Sequence, residues 1–158
     1  LGMIRLICVG KLKEPALKQL IEDYAHRIQP YRKLRIVELA DEPNSDKPGQ
    51  NSVTIDKESS AILASIKPNE QVVLLDLGGQ LLRSEGVATL IETNQIHGAK
   101  PLVFVIGGSL GVNDAVRDRA DVRWKLSDNT FPHGIVRLLV LEQIYRAYRI
   151  ITNQTYHK

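Results

Sequence analysis

The sequence predicts an α/β fold, a mostly parallel sheet with helices on both faces. Apolar runs of strand length alternate along the chain with segments whose apolar residues recur at helical spacing. This alternation is typical of strand–helix–strand units, in which helices cover both faces of a parallel sheet. The 158 residues, 43% of them hydrophobic, are enough for one domain with a sizeable core. We therefore expect residues 1–158 to form a single domain.

The expected elements follow one another without a linker or a repeat. Five short apolar runs predict strands over residues 3–10, 34–39, 72–77, 101–106 and 122–126. Apolar residues three and four apart predict helices over residues 14–28, 55–66, 84–97, 113–119 and 133–151. Pro15 in a first turn, and Ser84 and Asn113 as N-caps, indicate three of the helix starts. Residues 41–54, with two prolines and a glycine, are expected to be the longest loop.

The last predicted helix differs from an ordinary surface helix, which has one apolar stripe. Its apolar residues go almost all the way round: Ile135, Val136, Leu138, Leu139, Val140, Leu141, Ile144, Tyr145, Tyr148, Ile150 and Ile151. A helix that is apolar on most sides is buried on most sides. In a chain this short, we expect a second subunit to cover part of it, which predicts a homodimer. The alternative is a central core helix in a monomer.

Several classes of protein are disfavoured by composition. Cys8 is the only cysteine, so no internal disulfide forms, and its apolar strand favours a core role over a nucleophilic one. No apolar run approaches the roughly 20 residues of a membrane span. The four histidines lie far apart with no metal-ligand spacing, so no metal site is expected. Leu1 and Gly2 look like a cloning remnant ahead of Met3. We expect a cytoplasmic protein.

The charge of the chain is unevenly distributed. The net charge is +3, but residues 1–40 carry +4, residues 41–114 carry −5 and residues 115–158 carry +4. A clustered basic surface is typical of nucleic-acid binding. The alternative is that these are solvated faces that happen to be basic.

Three predicted strands end in loops of glycine or small polar residues, namely Leu77-Gly78-Gly79, residues 107–111 and residues 127–131. In open α/β sheets, ligands bind at the carboxyl ends of the strands, so we expect one small-molecule pocket between these loops, with a turn at Gly78-Gly79. The second loop comes close to the dinucleotide fingerprint but has Ile106 where glycine is required. Asp128 does lie at the spacing of that fingerprint's ribose-binding acid. A nucleotide-dependent oxidoreductase and a plain tight turn both remain as alternatives.

The end of the chain carries an aromatic residue next to cationic ones. Tyr156, His157 and Lys158 suit stacking on a base together with phosphate contact. Arginines on the last helix, Arg137, Arg146 and Arg149, could extend that surface. The alternative is that Tyr156 packs back on the core.

Several motifs are spread over the whole chain. They are Ile4-Arg5-Leu6-Ile7-Cys8-Val9-Gly10-Lys11, Phe104-Val105-Ile106-Gly107-Gly108 with Gly111, Leu126-Ser127 with Thr130-Phe131-Pro132-His133, Arg137, Glu142-Gln143 with Tyr145-Arg146-Ala147, and Tyr156-His157-Lys158. Together they resemble the RlmH family of SPOUT-class RNA methyltransferases. The resemblance implies a C-terminal trefoil knot, a homodimer and the cofactor S-adenosylmethionine. It also implies methylation of large-subunit ribosomal RNA, at N3 of a pseudouridine in the assembled ribosome.

The resemblance also implies roles for particular residues. The expected cofactor-binding residues are Leu75, Leu77, Gly107, Gly108, Gly111, Leu126, Ser127, Asp128, Asn129, Thr130 and Phe131. The expected RNA-binding residues are Arg146, Tyr156, His157 and Lys158. His133 is a candidate base or substrate-positioning residue because imidazole titrates near neutral pH, with Arg137 and His157 as the other catalytic candidates. For His133 the alternative role is capping the last helix, and for the whole protein a further alternative is a non-enzymatic ribosome-binding factor.

Overall fold

The predicted fold class is confirmed by a computed structural model, which describes residues 2–43 and 49–153. The strands are β1 Ile4–Val9, β2 Leu34–Leu39, β3 Gln71–Leu81, β4 Leu102–Ile106 and β5 Val122–Lys125. The helices are α1 Pro15–Ile28, α2 Gln50–Ser65, α3 Ser84–Ile96, α4 Asp114–Arg119 and α5 His133–Ile151. The sheet has the order β2-β1-β4-β3-β5, and every neighbouring pair is parallel.

Two apolar cores cover the two faces of the sheet. Along β1, Leu6 and Cys8 join a core with α1, α3 and α5, whereas Ile7 and Val9 join one with α2 and α4. Successive residues of a strand point to opposite faces, so a strand that is apolar throughout must be covered on both. The two layers of helices therefore account for the nearly continuous apolar runs.

The turn predicted at Gly78 and Gly79 is wrong, because β3 continues to Leu81. Its pairing with β5 shifts between Leu75 and Gln80, which both lie opposite Trp124. A Cβ atom on Gly79 would overlap the backbone carbonyl of Arg123. Glycine here allows a close approach of two strands at an irregularity rather than a reversal of the chain.

Two other local predictions need correction, while one is confirmed. The loop predicted over 41–54 is shorter because α2 begins at Gln50, after Gly49 with a positive φ of 82°. Ser84 is not an N-cap: Arg83 occupies that position, and the Ser84 hydroxyl donates to Gln143 Oε1 at 2.9 Å. Asn113 does cap α4, since its side chain accepts from Val116 N at 3.2 Å.

Helix α5 has the predicted bounds, but most of its apolar surface is covered by its own chain. It packs between α1 and α3, and its buried residues are Arg137, Val140, Leu141, Ile144, Ala147 and Tyr148. Gly134 allows close packing, because a Cβ there would lie 2.9 Å from Leu12 Cδ1. The apolar residues around α5 therefore mainly reflect packing within its own chain. This agrees with the alternative of a central core helix. The trefoil knot stays a prediction, and none of the described helices is long and apolar enough to cross a membrane.

Candidate functional site

A cavity of about 570 Å³ lies at the carboxyl ends of β3, β4 and β5, beside the first turn of α5. Its walls come from three segments and the start of that helix: Leu75, Asp76, Leu77, Ile106, Gly107, Gly108, Ser109, Leu110, Gly111, Val112, Arg117, Trp124, Leu126, Ser127, Asn129, Thr130, Phe131, Pro132, His133 and Val136. This is the edge at which open α/β sheets bind ligands, and the volume lies in the range of ligand pockets. The pocket expected between three strand-end loops is present.

All but one of the expected cofactor-binding residues line this cavity. The exception is Asp128, whose side chain is 75% exposed and forms an ion pair with Lys125 Nζ. Although Asp128 lies at the spacing of the dinucleotide fingerprint's ribose-binding acid, its carboxylate does not line the cavity. The binding roles of the other residues stay predictions.

The glycine loop after β4 is a tight turn closed by its own backbone. Gly111 N donates to Gly108 O at 3.0 Å, and Gly111 has a φ of 86°, which favours glycine. Gly107 and Gly108 are not among the residues with positive φ. A Cβ on Gly107 would lie 2.8 Å from Val112 Cγ1, and one on Gly108 would lie 2.5 Å from Glu58 Oε1. These two glycines allow close packing against the body of the protein.

Glu58 lies behind this loop as a buried carboxylate. Its Oε2 accepts from Glu42 N at 2.9 Å, and the residue is 5% exposed. Burial, with the nearby charges of Asp41 and Glu42, raises the pKa of Glu58 above its ordinary value, although the Glu42 hydrogen bond opposes the shift. Glu58 therefore connects the glycine loop to the segment after β2.

His133 stands at the first position of α5 with one side towards the cavity. Its Nε2 is buried and has no hydrogen-bond partner among the described residues. Burial and the positive charge of Arg137 lower the pKa of His133, against the opposing charges of Asp41 and Glu38. The lowered pKa favours the neutral imidazole, and its buried Nε2 lies in a residue of the cavity wall. The capping role is wrong, because Pro132 is the N-cap and no side chain caps the helix.

Arg137, one turn further along α5, is not in the cavity walls. Its side chain is 3% exposed and its Nη1 donates to Glu38 Oε2 at 2.6 Å. A second nitrogen, Nη2, donates to Gly10 O at 3.3 Å. Burial raises the pKa of Glu38, but hydrogen bonds from Arg137 and Leu12 N and the charge of Arg137 outweigh it, so this pKa is lowered. The structure places Arg137 as a support behind the site rather than as a group that faces a ligand.

Arg146, the expected RNA-binding residue that the structure describes, does not line the cavity. Arg146 lies more than three turns along α5 from His133, and its Nε donates to Glu142 Oε1 at 2.8 Å. Tyr156, His157 and Lys158 lie outside the described residues, so their roles stay predictions.

Two polar residues of the cavity were missed or left open by the sequence reasoning. Trp124 is 1% exposed, and its indole Nε1 is a buried donor with no hydrogen-bond partner in the described part of the chain. Asp76 accepts from Arg123 Nε at 2.7 Å and from Gly78 N at 2.9 Å. These bonds and the charges of Arg123 and Arg117 outweigh the effect of burial and lower the pKa of Asp76.

Within residues 2–43 and 49–153, no cluster of three metal-ligating side chains occurs.

The fold and this cavity define an α/β protein with a ligand site at the carboxyl ends of parallel strands. Residues 3–157 match the family model described as a predicted SPOUT methyltransferase, and the chain belongs to that family. The resemblance recognised from the motifs is therefore confirmed.

Relatives align along the whole chain. Over 157 residues it is 46% identical to the ribosomal RNA large subunit methyltransferase H of Clostridium novyi (strain NT), covering 98% of this chain and 99% of that protein. The protein of the same name from Bacillus pumilus (strain SAFR-032) is 44% identical with the same coverage. Among solved structures, a probable methylase family protein from Haemophilus influenzae Rd KW20 matches with a TM-score of 0.55 and 12% identity. That match covers 96% of this chain and 67% of the other, and supports the fold.

Proposed function

We propose that this protein is an S-adenosylmethionine-dependent methyltransferase that acts on large-subunit ribosomal RNA. The observation that carries the proposal is the cavity at the strand ends. Its wall contains His133, whose pKa is lowered by burial and by Arg137 and whose Nε2 has no hydrogen-bond partner within the described residues. Family membership and full-length relatives named as ribosomal RNA methyltransferases support the same reaction and substrate class.

The residues of the cavity fit S-adenosylmethionine. Leucine side chains at positions 75, 77 and 126 offer apolar walls for an adenine ring. The loop from Gly107 to Gly111 brings backbone groups to the cavity surface, and Trp124 Nε1 offers a buried donor. When bound, this cofactor supplies a methyl group activated by a sulfonium. Because the donor is already reactive, positioning is the main contribution that the protein must make.

The acceptor we propose is N3 of a pseudouridine in the assembled ribosome. This nitrogen carries a proton that must leave as the new N–CH₃ bond forms and the S–CH₃ bond breaks. Neutral His133 can accept that proton at Nε2, which has no other partner in the described structure. Arg137 helps to keep the imidazole neutral before the proton arrives, because its positive charge lowers the pKa of His133.

The remaining features of the proposal concern assembly and location. The protein acts as a homodimer with a knotted C-terminal segment, and works in the cytoplasm, where ribosomes are found. Arg146, Tyr156, His157 and Lys158 contribute RNA contacts, and His157 is a second candidate for the catalytic proton transfer.

Methyl incorporation tests this function. Ribosomes from a strain without the modification are incubated with the protein and methyl-labelled S-adenosylmethionine, and RNA and protein fractions are counted separately. We expect label in the large-subunit RNA at about one methyl group per subunit. Binding to ribosomes without incorporation would instead indicate a non-enzymatic factor. Tight binding of NAD without S-adenosylmethionine binding, measured by calorimetry, would indicate an oxidoreductase.

A further inference from the structure

We propose that the loop between β1 and α1 binds the RNA backbone, with Lys11 and Lys13 contacting phosphates beside His133. This inference rests on the proposed function, since it names the part of the site that holds the RNA. The two lysines are exposed and flank Leu12, which packs against the core.

The loop is held in place by hydrogen bonds at both of its ends. Gly10 N donates to Leu39 O at 2.8 Å, and Gly10 O accepts from Arg137 Nη2 at 3.3 Å. Leu12 N donates to Glu38 Oε2 at 2.9 Å, the same oxygen that accepts from Arg137 Nη1 at 2.6 Å. The ion pair between buried Arg137 and exposed Glu38 thus holds the backbone at Gly10 and Leu12, on either side of Lys11. A loop ordered before binding loses less entropy when it meets its partner.

The same loop lies against the start of α5. A Cβ on Gly134 would come within 2.9 Å of Leu12 Cδ1, so Leu12 packs on the turn that contains His133. Leu12 packs inward, whereas Lys11 and Lys13 on either side of it are exposed. Neither lysine takes part in a salt bridge within the described residues, although Glu14 follows Lys13 directly.

RNA phosphate is the partner that this arrangement fits. Glu38, which accepts a hydrogen bond from Leu12 N in this loop, is already paired with Arg137, so its charge does not offset those of Lys11 and Lys13. Lysines that contact phosphates release counterions, which makes binding weaken with salt in proportion to the number of contacts. The alternative is that both lysines are only solvated.

Ribosome binding by the Lys11→Ala/Lys13→Ala variant tests the inference. We measure filter binding of the full chain to ribosomes between about 50 and 200 mM salt, the range in which phosphate contacts act. We expect weaker binding and a log–log salt slope smaller in magnitude by about 2 than that of the unaltered protein. The double variant to Arg should keep the slope. Affinity for S-adenosylmethionine and the melting temperature should not change.

A matched control carries Lys57→Ala and Lys67→Ala, two exposed lysines outside the cavity walls. A slope equal to that of this control, or no ribosome binding by the unaltered protein, would overturn the inference. Methyl incorporation is measured separately. If it is absent while the salt slope changes as expected, the proposed function fails and the RNA-binding loop stands.

Discussion

His133 and Arg137 lie one turn apart on α5 but have different surroundings. His133 has a buried ring nitrogen without a partner in the described structure, beside the cavity. Arg137 is occupied by Glu38 and Gly10. Sequence motifs drew attention to both residues, but spacing along a helix does not tell which one faces a ligand. We therefore propose His133 as the proton acceptor and Arg137, which is outside the cavity walls, as a supporting residue.

We predict that methylation by the unaltered protein falls as pH falls, with a midpoint below 6.5. The pKa of His133 is lowered from its ordinary value of 6.5, so the imidazole becomes protonated, and unable to accept a proton, only below that pH. His133→Gln should lose roughly 10²- to 10⁴-fold in rate and should lack this acid limb. The measurement is the single-turnover rate from pH 5 to 8 at saturating cofactor. An unchanged acid limb in the variant would exclude His133 as the base.

The same pKa shift has a consequence for stability. Because the folded pKa of His133 lies below its unfolded value, the unfolded chain binds this proton first as pH falls. His133 therefore destabilises the fold progressively below about pH 6.5, and His133→Gln should remove this part of the acid sensitivity in denaturant titrations at pH 5 and 7.5.

Cys8 should be unreactive in the folded protein. Burial raises the pKa of its thiol to about 12, against the opposing charge of Arg137, and only the thiolate is a nucleophile. We expect no reaction with a disulfide reagent at pH 8 until denaturant is added, followed by one thiol per chain. Rapid reaction of the folded protein would show that β1 opens readily or that the core around Cys8 is misplaced.

The glycine loop shows what one element contributes to the site. Sequence reasoning placed this loop at a pocket but could not tell which glycine needs its unusual backbone angle. The positive φ belongs to Gly111, whereas Gly107 and Gly108 are required by the contacts with Val112 and Glu58. The contact between Gly108 and Glu58 joins residues far apart in sequence, so no local pattern reveals it.

We predict that Gly111→Ala weakens cofactor binding, whereas Gly98→Ala does not. Both glycines have positive φ, 86° and 97°, with open space around a new Cβ, but only Gly111 lines the cavity. Both variants should lose about 1 kcal/mol or somewhat more of folding stability. Only the Gly111 variant should also bind S-adenosylmethionine more weakly. If cofactor binding must overcome a strain energy similar to this loss of folding stability, the dissociation constant should rise by roughly tenfold. Calorimetry and denaturant titration measure the two effects, and equal affinities would show that the loop does not shape the site.

For the whole molecule, the sequence predicted the type and order of the elements and the bounds of β2 and α5. It did not predict how far β3 and α2 extend or where the elements pack. Periodicity located α5 because its apolar residues are dense. It could not show that α1 and α3 supply most of the cover, since helix packing depends on the tertiary arrangement. The extension of β3 past Gly78 depends on pairing with β5, and glycine-rich segments more often indicate turns.

A smaller surface than expected remains for a partner subunit. Ile135 and Leu139 lie four residues apart on α5, are half-buried, and are absent from both apolar cores of the described chain. We predict a dimer through this face at micromolar concentration. Ile135→Arg/Leu139→Arg should give a monomer in sedimentation, because two charges cannot be buried unpaired between subunits. Leu20→Arg, at a 46%-exposed position on α1, is the control and should stay dimeric. A monomeric unaltered protein would contradict the prediction.

The central claim is that the cavity at the ends of β3, β4 and β5 holds the methyl donor. A crystal structure of the protein with S-adenosylmethionine tests it most directly. We expect the cofactor between Leu77 of β3 and the loops that contain Gly111 and Phe131, with its methyl group directed towards His133. Cofactor bound elsewhere on the protein, or bound here with its methyl group directed away from His133, would contradict the account.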